Sequence, residues 1–391
     1  MPDSTYLITG ARAPAALQMA RILGRSGHEV VLADSMARST SYKSKWVKSH
    51  VVLPSPARQF SAFVMAARRA VEQLRPKTII CTCEEIFYWA KAAEIDPVSF
   101  GPYLRANPPF KTLRALHHKG VFARLARSAA VESGVLVPVT RSFGQLGEGR
   151  WVCKPAFSRF AVLTRLGLSA REAEEQIKQP AWIAQQQVEG REFCTWAFFV
   201  KGQEVCSAAY QPLYRAGKGS GIGLRAVEAG RSAAFARALA ARLHYTGQLA
   251  FDWIENDAGS HLLECNPRST SGLHFLDRYA GEAGQAISHA LEGRPFRAVS
   301  GAREDLAVKW AMLMFGALRM LRPWAGASER AFFMEARDVE RDPEDPLPSS
   351  GRAMLEAFSE IMTRAIKMRS GLQAASTADI EWNGNRFWED S

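Results

Sequence analysis

The chain reads as an α/β unit followed by an α+β unit and a helical C-terminal extension. Three observations carry that expectation. Strand-like and helix-like stretches alternate through the N-terminal part, hairpin patterns fill residues 151–268, and helical periodicity dominates the C-terminal part.

In order, "YLITG" is a β-rich run that starts at Tyr6 and ends in Gly10. "PAALQMARILGRSG" has helical spacing with a stop at Gly27, and "EVVLAD" is a second strand. The helical "FSAFVMAARRAVEQL" leads into "KTIICTCEE" (77–85), a buried strand. This alternation indicates a parallel sheet with flanking helices. A dinucleotide-binding turn would need G-x-G-x-x-G after the first strand. The turn here is "GARAPA", with one glycine and a proline, so NAD is not expected.

Near residue 105 the pattern changes. "KGVFARLARSAAVESG" is helical and ends at Gly134. "WVCKPA" and "AWIAQQQV" are strands, and "EFCTWAFFVKGQEVCSAAY" is a hairpin around Lys201-Gly202. "LAFDWIENDAGSHLLECN" is a second hairpin, around "NDAGS". Between the two lie the glycine-rich "YRAGKGSGIGLR" (214–225) and the helix "SAAFARALAARLH". In the C-terminal part, "DLAVKWAMLMFGALRML" and "RAMLEAFSEIMTRAIKM" are helical, joined through the proline-rich "DVERDPEDPLPSSG". The second helix aligns Met354, Leu355, Phe358, Ile361, Met362 and Ile366 on a face expected to pack on the rest of the protein.

Composition bounds the function without naming it. A chain of 391 residues suits two or three units. Its net charge of +11 attracts anions, whether nucleotides, acidic substrates, nucleic acid or a membrane surface. Cys81, Cys83, Cys153, Cys194, Cys206 and Cys265 form no CxxC pair, which suggests buried thiols of a reducing compartment. No signal peptide is expected ahead of Tyr6. The apolar run Trp310–Leu318, bounded by Lys309 and Arg319, is too short to span a bilayer. A cytoplasmic location follows.

The chemistry concentrates in one hairpin. With "NDAGS" as a five-residue turn centred on Ala258, Asp252 and Glu264 lie directly opposite each other. Such partners hold their Cβ atoms about 4.5–5.5 Å apart on one face. Asn266, two residues on, shares that face. Two close carboxylates repel and need compensation. A shared proton, a Mg²⁺ ion bridging to phosphates, or a solvated face paired with arginines would each supply it. Arg268 follows at two residues and suits a phosphate or carboxylate. Lys154 interrupts an apolar strand, where a charge is costly without an anionic partner. Lys119 opens a helix after "HH".

The order Lys119, Lys154, "QQQVEGREF", Asp252 and "ECNPR" resembles the ATP-grasp superfamily, and the "ExNPR" form resembles the carbamoyl-phosphate synthase large-subunit branch. The resemblance covers about residues 1–295. It implies an N-terminal α/β domain (1–105), a small lid domain (106–188) and a large domain (189–298), with ATP between the last two. Residues 299–391 remain as the helical extension. The implied activity is a carboxylate–amine ligase that uses ATP and Mg²⁺ (or Mn²⁺), forms an acylphosphate and releases ADP and phosphate. Lys119 and Lys154 match the lysines that contact ATP phosphates. Gln185, Gln186, Gln187 and Val188 match the hinge that reads adenine, and Glu192 matches the ribose-binding carboxylate. Asp252, Glu264 and Asn266 match the metal ligands, and Arg268 matches the arginine that stabilises the transferring phosphoryl.

The sequence departs from the family in the loop after Lys154. It reads "AFSRFAV", without glycine, although Ser158 and Arg159 offer phosphate donors. The later "GKGSGIG" has the glycines of a moving flap, with Lys218 and Arg225 placed to close over substrate or γ-phosphate. Ligands of open parallel sheets bind at the carboxyl ends of the strands. That rule points to Arg12, to the stretch from Asp34 to Arg38, and to Glu84 and Glu85 as acceptor-side residues.

A carboxylase or carbamoyl-phosphate-synthase-like reading is the first competitor. The carboxylase branch places Glu four residues after the arginine, where this chain has Gly272. Carbamoyl-phosphate synthesis needs two ATP-grasp halves, and this chain has one. The second competitor is a non-catalytic nucleotide-binding protein attached to an anionic surface. Small-molecule carboxylate and amine partners are favoured over a membrane surface, no nucleic-acid partner is expected, and homo-oligomerisation is left open.

Overall fold

In the computed structural model, which describes residues 4–158, 163–179, 181–216, 219, 221–320, 326–369, 371–384 and 387, three sheets follow one another along the chain. The first is parallel, formed by β1 (Thr5–Thr9), β2 (Glu29–Asp34), β3 (Val47–Val52) and β4 (Thr78–Cys81) in the order β3-β2-β1-β4. Helices Pro14–Arg25 and Phe60–Leu74 match the expected spans. Their apolar sides, with Met19, Ile22, Phe63 and Val71, cover the sheet. Strand β3 was not expected. Its polar "VKSHVV" is an exposed edge without the apolar run of an interior strand.

The second sheet contains β5 (Thr140–Arg141), β6 (Trp151–Pro155), β7 (Arg165–Leu168) and β8 (Trp182–Gln186), in the order β5-β8-β6-β7. The single helix expected before it is two, Lys119–Leu125 and Arg127–Ser133. Gly134 ends the second at φ 66°, a left-handed cap.

The third sheet is the largest. It holds β9 (Arg191–Val200), β10 (Gln203–Arg215), β11 (Gly221–Ala226), β12 (Gly247–Asn256), β13 (Gly259–Asn266), β14 (Val299–Ser300), β15 (Asp305–Ala307) and β16 (Arg337–Asp338). Its order is β13-β12-β9-β10-β11-β15-β16, with β14 beside β10. The Lys201-Gly202 hairpin forms as expected, with both residues at positive φ. "DLA" was expected to begin a helix and is instead β15, paired with β11; helix Lys309–Met320 follows it.

The first and third sheets are joined by a close helix crossing. A Cβ at Gly284, in helix Ala280–Glu292, would lie 2.2 Å from the Ile22 carbonyl oxygen. No side chain larger than hydrogen fits there.

The C-terminal extension is fastened to the first unit by charge. Arg21, fully buried, meets Asp345 at 3.0 Å, and Asp345 also accepts from Ser44 Oγ (2.7 Å) and the Lys45 amide (2.8 Å). Arg25 meets Asp342 at 2.7 Å. The face expected to bury helix Gly351–Met368 is corrected by the structure. Leu355, Met362 and Ile366 are exposed, while Ala353 and Ala365 turn inward. The small residues permit closer approach, and Arg364 beside Ala365 reaches Asp379. No helix among the described residues is long and apolar enough to cross a membrane. All six cysteines are free thiols.

Two outcomes are expected. Asp345→Ala strands the Arg21 charge in the interior, and loss of one partner of a buried pair costs about 3–5 kcal/mol, read as a lower midpoint in urea unfolding. The second concerns pH. Burial pushes the Asp379 carboxyl up, but Arg12, Arg364 and Ser35 outweigh it and hold the group well below the usual carboxylate range. A depressed folded value stabilises above the unfolded pKa of about 3.9. The advantage of the wild type over Asp379→Asn is therefore full above about pH 4. It shrinks as pH falls, and parallel melts across pH 2–6 measure it.

Candidate active site

The β12–β13 hairpin sets the site. Asp252 pairs directly with Glu264, as the spacing predicts, although the route differs. Asn256 pairs with Gly259, so the turn holds only Asp257 and Ala258. A bulge between the Trp253–Leu262 and Asp252–Glu264 pairs then restores the register. Asn266 continues on the same face, and its Nδ2 donates to Asp252 Oδ2 at 3.2 Å. Arg268 donates to Asn266 Oδ1 (3.2 Å) and to the Ser269 carbonyl (3.1 Å).

Two lysines reach this face from other elements. Lys154, on β6 of the second sheet, places Nζ 3.3 Å from Glu264 Oε2. Lys119, at the start of its helix, lies 3.7 Å from the same oxygen and donates to the Ser158 carbonyl at 2.9 Å. Both lysines are buried. Burial pulls the Lys119 pKa down against the pull of Glu264. Burial alone would raise Glu264, yet Lys119 and Lys154 hold it below the ordinary carboxylate range. Asp252 goes the other way, raised first by burial and then by the charge on Glu264. The carboxylate pair thus splits into one firmly charged member and one that resists ionisation.

The oxygens present suit a hard divalent cation. Asp252, Glu264 and Asn266 supply two carboxylates and an amide oxygen on one rigid face, the donor set Mg²⁺ prefers. The two carboxylates repel without a cation between or beside them, and here lysines and an amide N–H take that part.

The other expected residues divide. Glu84, fully buried, faces Arg268 at 3.6 Å. Glu85 instead ties the strand ends together. Its Oε1 accepts from Thr9 Oγ1 (2.7 Å) and from the Thr82 and Cys83 amides (3.1 Å each). Arg12 is held by Asp34 and Asp379 and is almost fully enclosed. Ser158 Oγ turns to the Pro155 carbonyl at 3.4 Å. Arg159 and Lys218 lie outside the described residues. Arg225 forms a two-pronged pair with Asp305 on an exposed part of β11 and makes no described contact with the carboxylate hairpin. Of the glycines expected to form a flap, Gly221 pairs with Arg215 across β10 and β11, a Cβ on Gly223 would meet Tyr214 at 2.7 Å, and Gly217 lies outside the described residues.

At the hinge, the Gln186 amide donates to Val139 and the Gln187 amide to Arg150. The Gln185 side chain donates to Thr140 Oγ1 and the Leu263 carbonyl, each at 3.2 Å. Gln187 Oε1 accepts from Gly167 at 2.8 Å, joining the hinge to β7. A cleft of about 430 Å³ runs beside Gln186–Glu189, bordered by Val139, Asn256 and His261. Glu192 is ion-paired with Arg215.

Three residues escaped sequence reasoning. Arg215 bonds Glu192 and also lowers the Asp252 pKa. Its place in "YRAGKG" gave the only signal. Cys194 Sγ lies 3.2 Å from Asp252 Oδ1. Gln248, buried in β12, donates to the Cys81 carbonyl at 2.9 Å and accepts from Trp196 and Ser269. A polar residue amid "GQLAFDW" was its signal.

Comparison with known proteins places the architecture. No family model matches the sequence, and no curated protein does. Solved structures do match. The L-amino acid ligase of Bacillus licheniformis superposes with TM-score 0.55 at 17% identity, over 75% of each chain. The N5-carboxyaminoimidazole synthetase of Staphylococcus aureus, complexed with ADP, gives 0.56 at 12% identity over 78% of this chain and 81% of that one. The biotin carboxylase domain of the 2-oxoglutarate carboxylase of Hydrogenobacter thermophilus, solved with MgADP and bicarbonate, gives 0.57 at 11% over 77% and 73%.

The chain has the ATP-grasp fold.

Within that fold Gly272 is informative. A Cβ there would lie 2.5 Å from Trp196 Cβ, so the position has no room for a glutamate. The charge split between Asp252 and Glu264 is testable. Glu264→Gln removes the like charge facing Asp252 and leaves the pull of Arg215 and Arg268, so the Asp252 pKa falls. Carboxyl ¹³C NMR titration reads it, and an unmoved value would mean burial alone sets Asp252.

Proposed function

We propose that the protein is an ATP- and Mg²⁺-dependent carboxylate–amine ligase that works through an acylphosphate. The observation that carries this reading is the convergence of Lys119 and Lys154 on Glu264, opposite Asp252 and beside Asn266 and Arg268. Two buried cations, a hard-oxygen face and an arginine meet at one point between the second and third sheets. That is the equipment phosphoryl transfer needs, because its catalysis is chiefly positioning and neutralisation of charge.

On this reading the domains are 1–105, a lid of 106–188, a large domain of 189–298 and the extension from 299. Lys119 and Lys154 bind the triphosphate, the hinge Gln185–Val188 reads adenine, and Glu192 holds ribose, steered by Arg215. Asp252, Glu264 and Asn266 hold Mg²⁺, which would offset charge on the β- and γ-phosphates. A carboxylate oxygen of the substrate attacks the γ-phosphorus, and the β–γ bridging oxygen leaves with ADP. The amine nitrogen then attacks the acyl carbon, and phosphate departs with the C–O electron pair while the nitrogen loses a proton. Arg268 neutralises the phosphoryl oxygens in both steps. The reactions named by the similar structures, amino-acid ligation among them, support a ligase of small molecules. Crowding of Gly272 by Trp196 weighs against bicarbonate activation in the manner of a carboxylase.

The test is ATP consumption with Mg²⁺ against pooled carboxylates and amines, with ADP plus phosphate separated from AMP plus pyrophosphate. ADP formation that needs both an acid and an amine is expected; AMP formation would overturn the acylphosphate. Glu264→Gln keeps the side-chain volume but leaves Lys119 and Lys154 without their anion, and lowers turnover by about 10²-fold or more. Lys154→Ala weakens ATP binding by about tenfold or more, the ~1.5–3 kcal/mol of a charged hydrogen bond, measured by calorimetry.

A further inference from the structure

The crevice at the carboxyl ends of the first sheet is already filled, by the protein itself. Residues 371–384 run across the ends of β1, β2 and β4. Ile380 closes a remnant of about 10 Å³ lined by Thr9, Gly10, Asp34, Ser35 and Glu85. That volume holds about one water. Asp379, almost fully buried, lays its carboxylate against Arg12, Ser35 and Arg364. Arg12 also holds the Ser376 carbonyl at 2.8 Å, and Ser55 and the Ala57 amide hold the Asp379 carbonyl at 3.1 Å each. Further on, the Trp382 amide donates to Glu84 Oε2 at 3.4 Å, next to Arg268.

The lining is polar beyond what the strap uses. Glu85 is buried, and its second oxygen, Oε2, is buried without a hydrogen-bond partner among the described residues. A buried polar group left without a partner is costly, so an arrangement that satisfies it is favoured. Arg364 Nη1 is in the same condition. With Asp379 removed, Arg12 keeps its pair with Asp34, whereas Arg364 has no other ion pair among the described residues, which leaves one cation for a small carboxylate; Glu85, on the same lining, is engaged by Thr9 and the Thr82 and Cys83 amides.

We infer that this crevice is a carboxylate subsite of the acceptor side, and that residues 371–384 dock in it as a self-ligand, with Asp379 in the carboxylate position. The inference rests on the ligase reading for its place in a reaction, but not for its binding chemistry. An acceptor carboxylate and the strap compete for Arg12, Ser35 and Arg364. Entry of the acceptor lifts Ile380 and Trp382 and frees the Glu84–Arg268 side of the pocket.

The test uses the full chain and two variants, Asp379→Ala and the isosteric Asp379→Asn. Acetate, succinate and the common L-amino acids serve as probes, with the corresponding carboxamides as controls. Calorimetry gives affinity, and hydrogen exchange reports the strap against β1. Vacating the subsite should tighten binding of at least one carboxylate by tenfold or more over wild type, with no binding of its amide. Strap amides should exchange at least tenfold faster in the variants, while Thr5–Thr9 stays protected. Carboxylate binding that is absent from both variants, or equal to wild type, overturns the inference. So does a strap that exchanges only together with β1. ATP binding is measured on the same samples. Its absence from the wild type counts against the ligase reading, whereas ATP binding by the wild type without carboxylate binding by either variant counts only against the subsite.

Discussion

One carboxylate organises the molecule. Glu264 comes from the third sheet, Lys154 from the second, and Lys119 from the helix that leads into the second. Neither lysine is affordable at its depth without an anion, since an isolated buried charge costs several kcal/mol even after relaxation. Glu264 in turn would be pushed toward its neutral form by burial without them. The three charges therefore hold the second sheet to the third. A triphosphate would draw both lysines and leave Glu264 free to face a cation, so binding would exchange one set of partners for another and strand no charge.

The C-terminal extension solves a related problem at a longer range. It grips helix Pro14–Arg25 at both ends: Asp342 and Asp345 take Arg25 and Arg21, and Asp379 takes Arg12 just ahead of the helix. A twelve-residue helix is about 18 Å long, so these attachments are far enough apart to fix orientation as well as position. The Arg21 end is sealed by a buried network that includes Ser44 and Lys45. The Arg12 end lies over a crevice with unsatisfied polar atoms. Of the two ends, the second is better suited to release.

Legibility in the sequence followed the range of the interactions. The parallel strands, the first two long helices and the Asp252–Glu264 pair rest on local periodicity and turn chemistry, and these were readable. Even there, the pair was found through a turn three residues too long, because the bulge beside Glu264 cancelled the error. Strand β3 was missed because an exposed edge carries no apolar run. The inward face of helix Gly351–Met368 was misjudged because the packing partner selects Ala353 and Ala365 over bulkier residues. Arg12 had the right location for a ligand-binding residue, but nothing local to it announces a partner 367 residues away.

The glycine-free loop after Lys154 follows from the same long-range packing. In its described part, Phe157 packs edge-on to Trp382 at 5.0 Å and lies 4.8 Å from His118. A Cβ on Gly384 would meet the Phe157 ring at 2.6 Å, so the tail passes as close as a backbone can. A glycine-rich flap would offer Trp382 no ring to pack on. The adjacent Ser158 carbonyl receives the Lys119 ammonium. Phe157, the strap and Lys119 are thus one packed unit. Displacement of Trp382 would loosen Phe157 and, through Ser158, the seat of Lys119. On the proposed reading, coupling between acceptor side and nucleotide side would need no moving flap, because the tail that fills one side packs on the wall of the other.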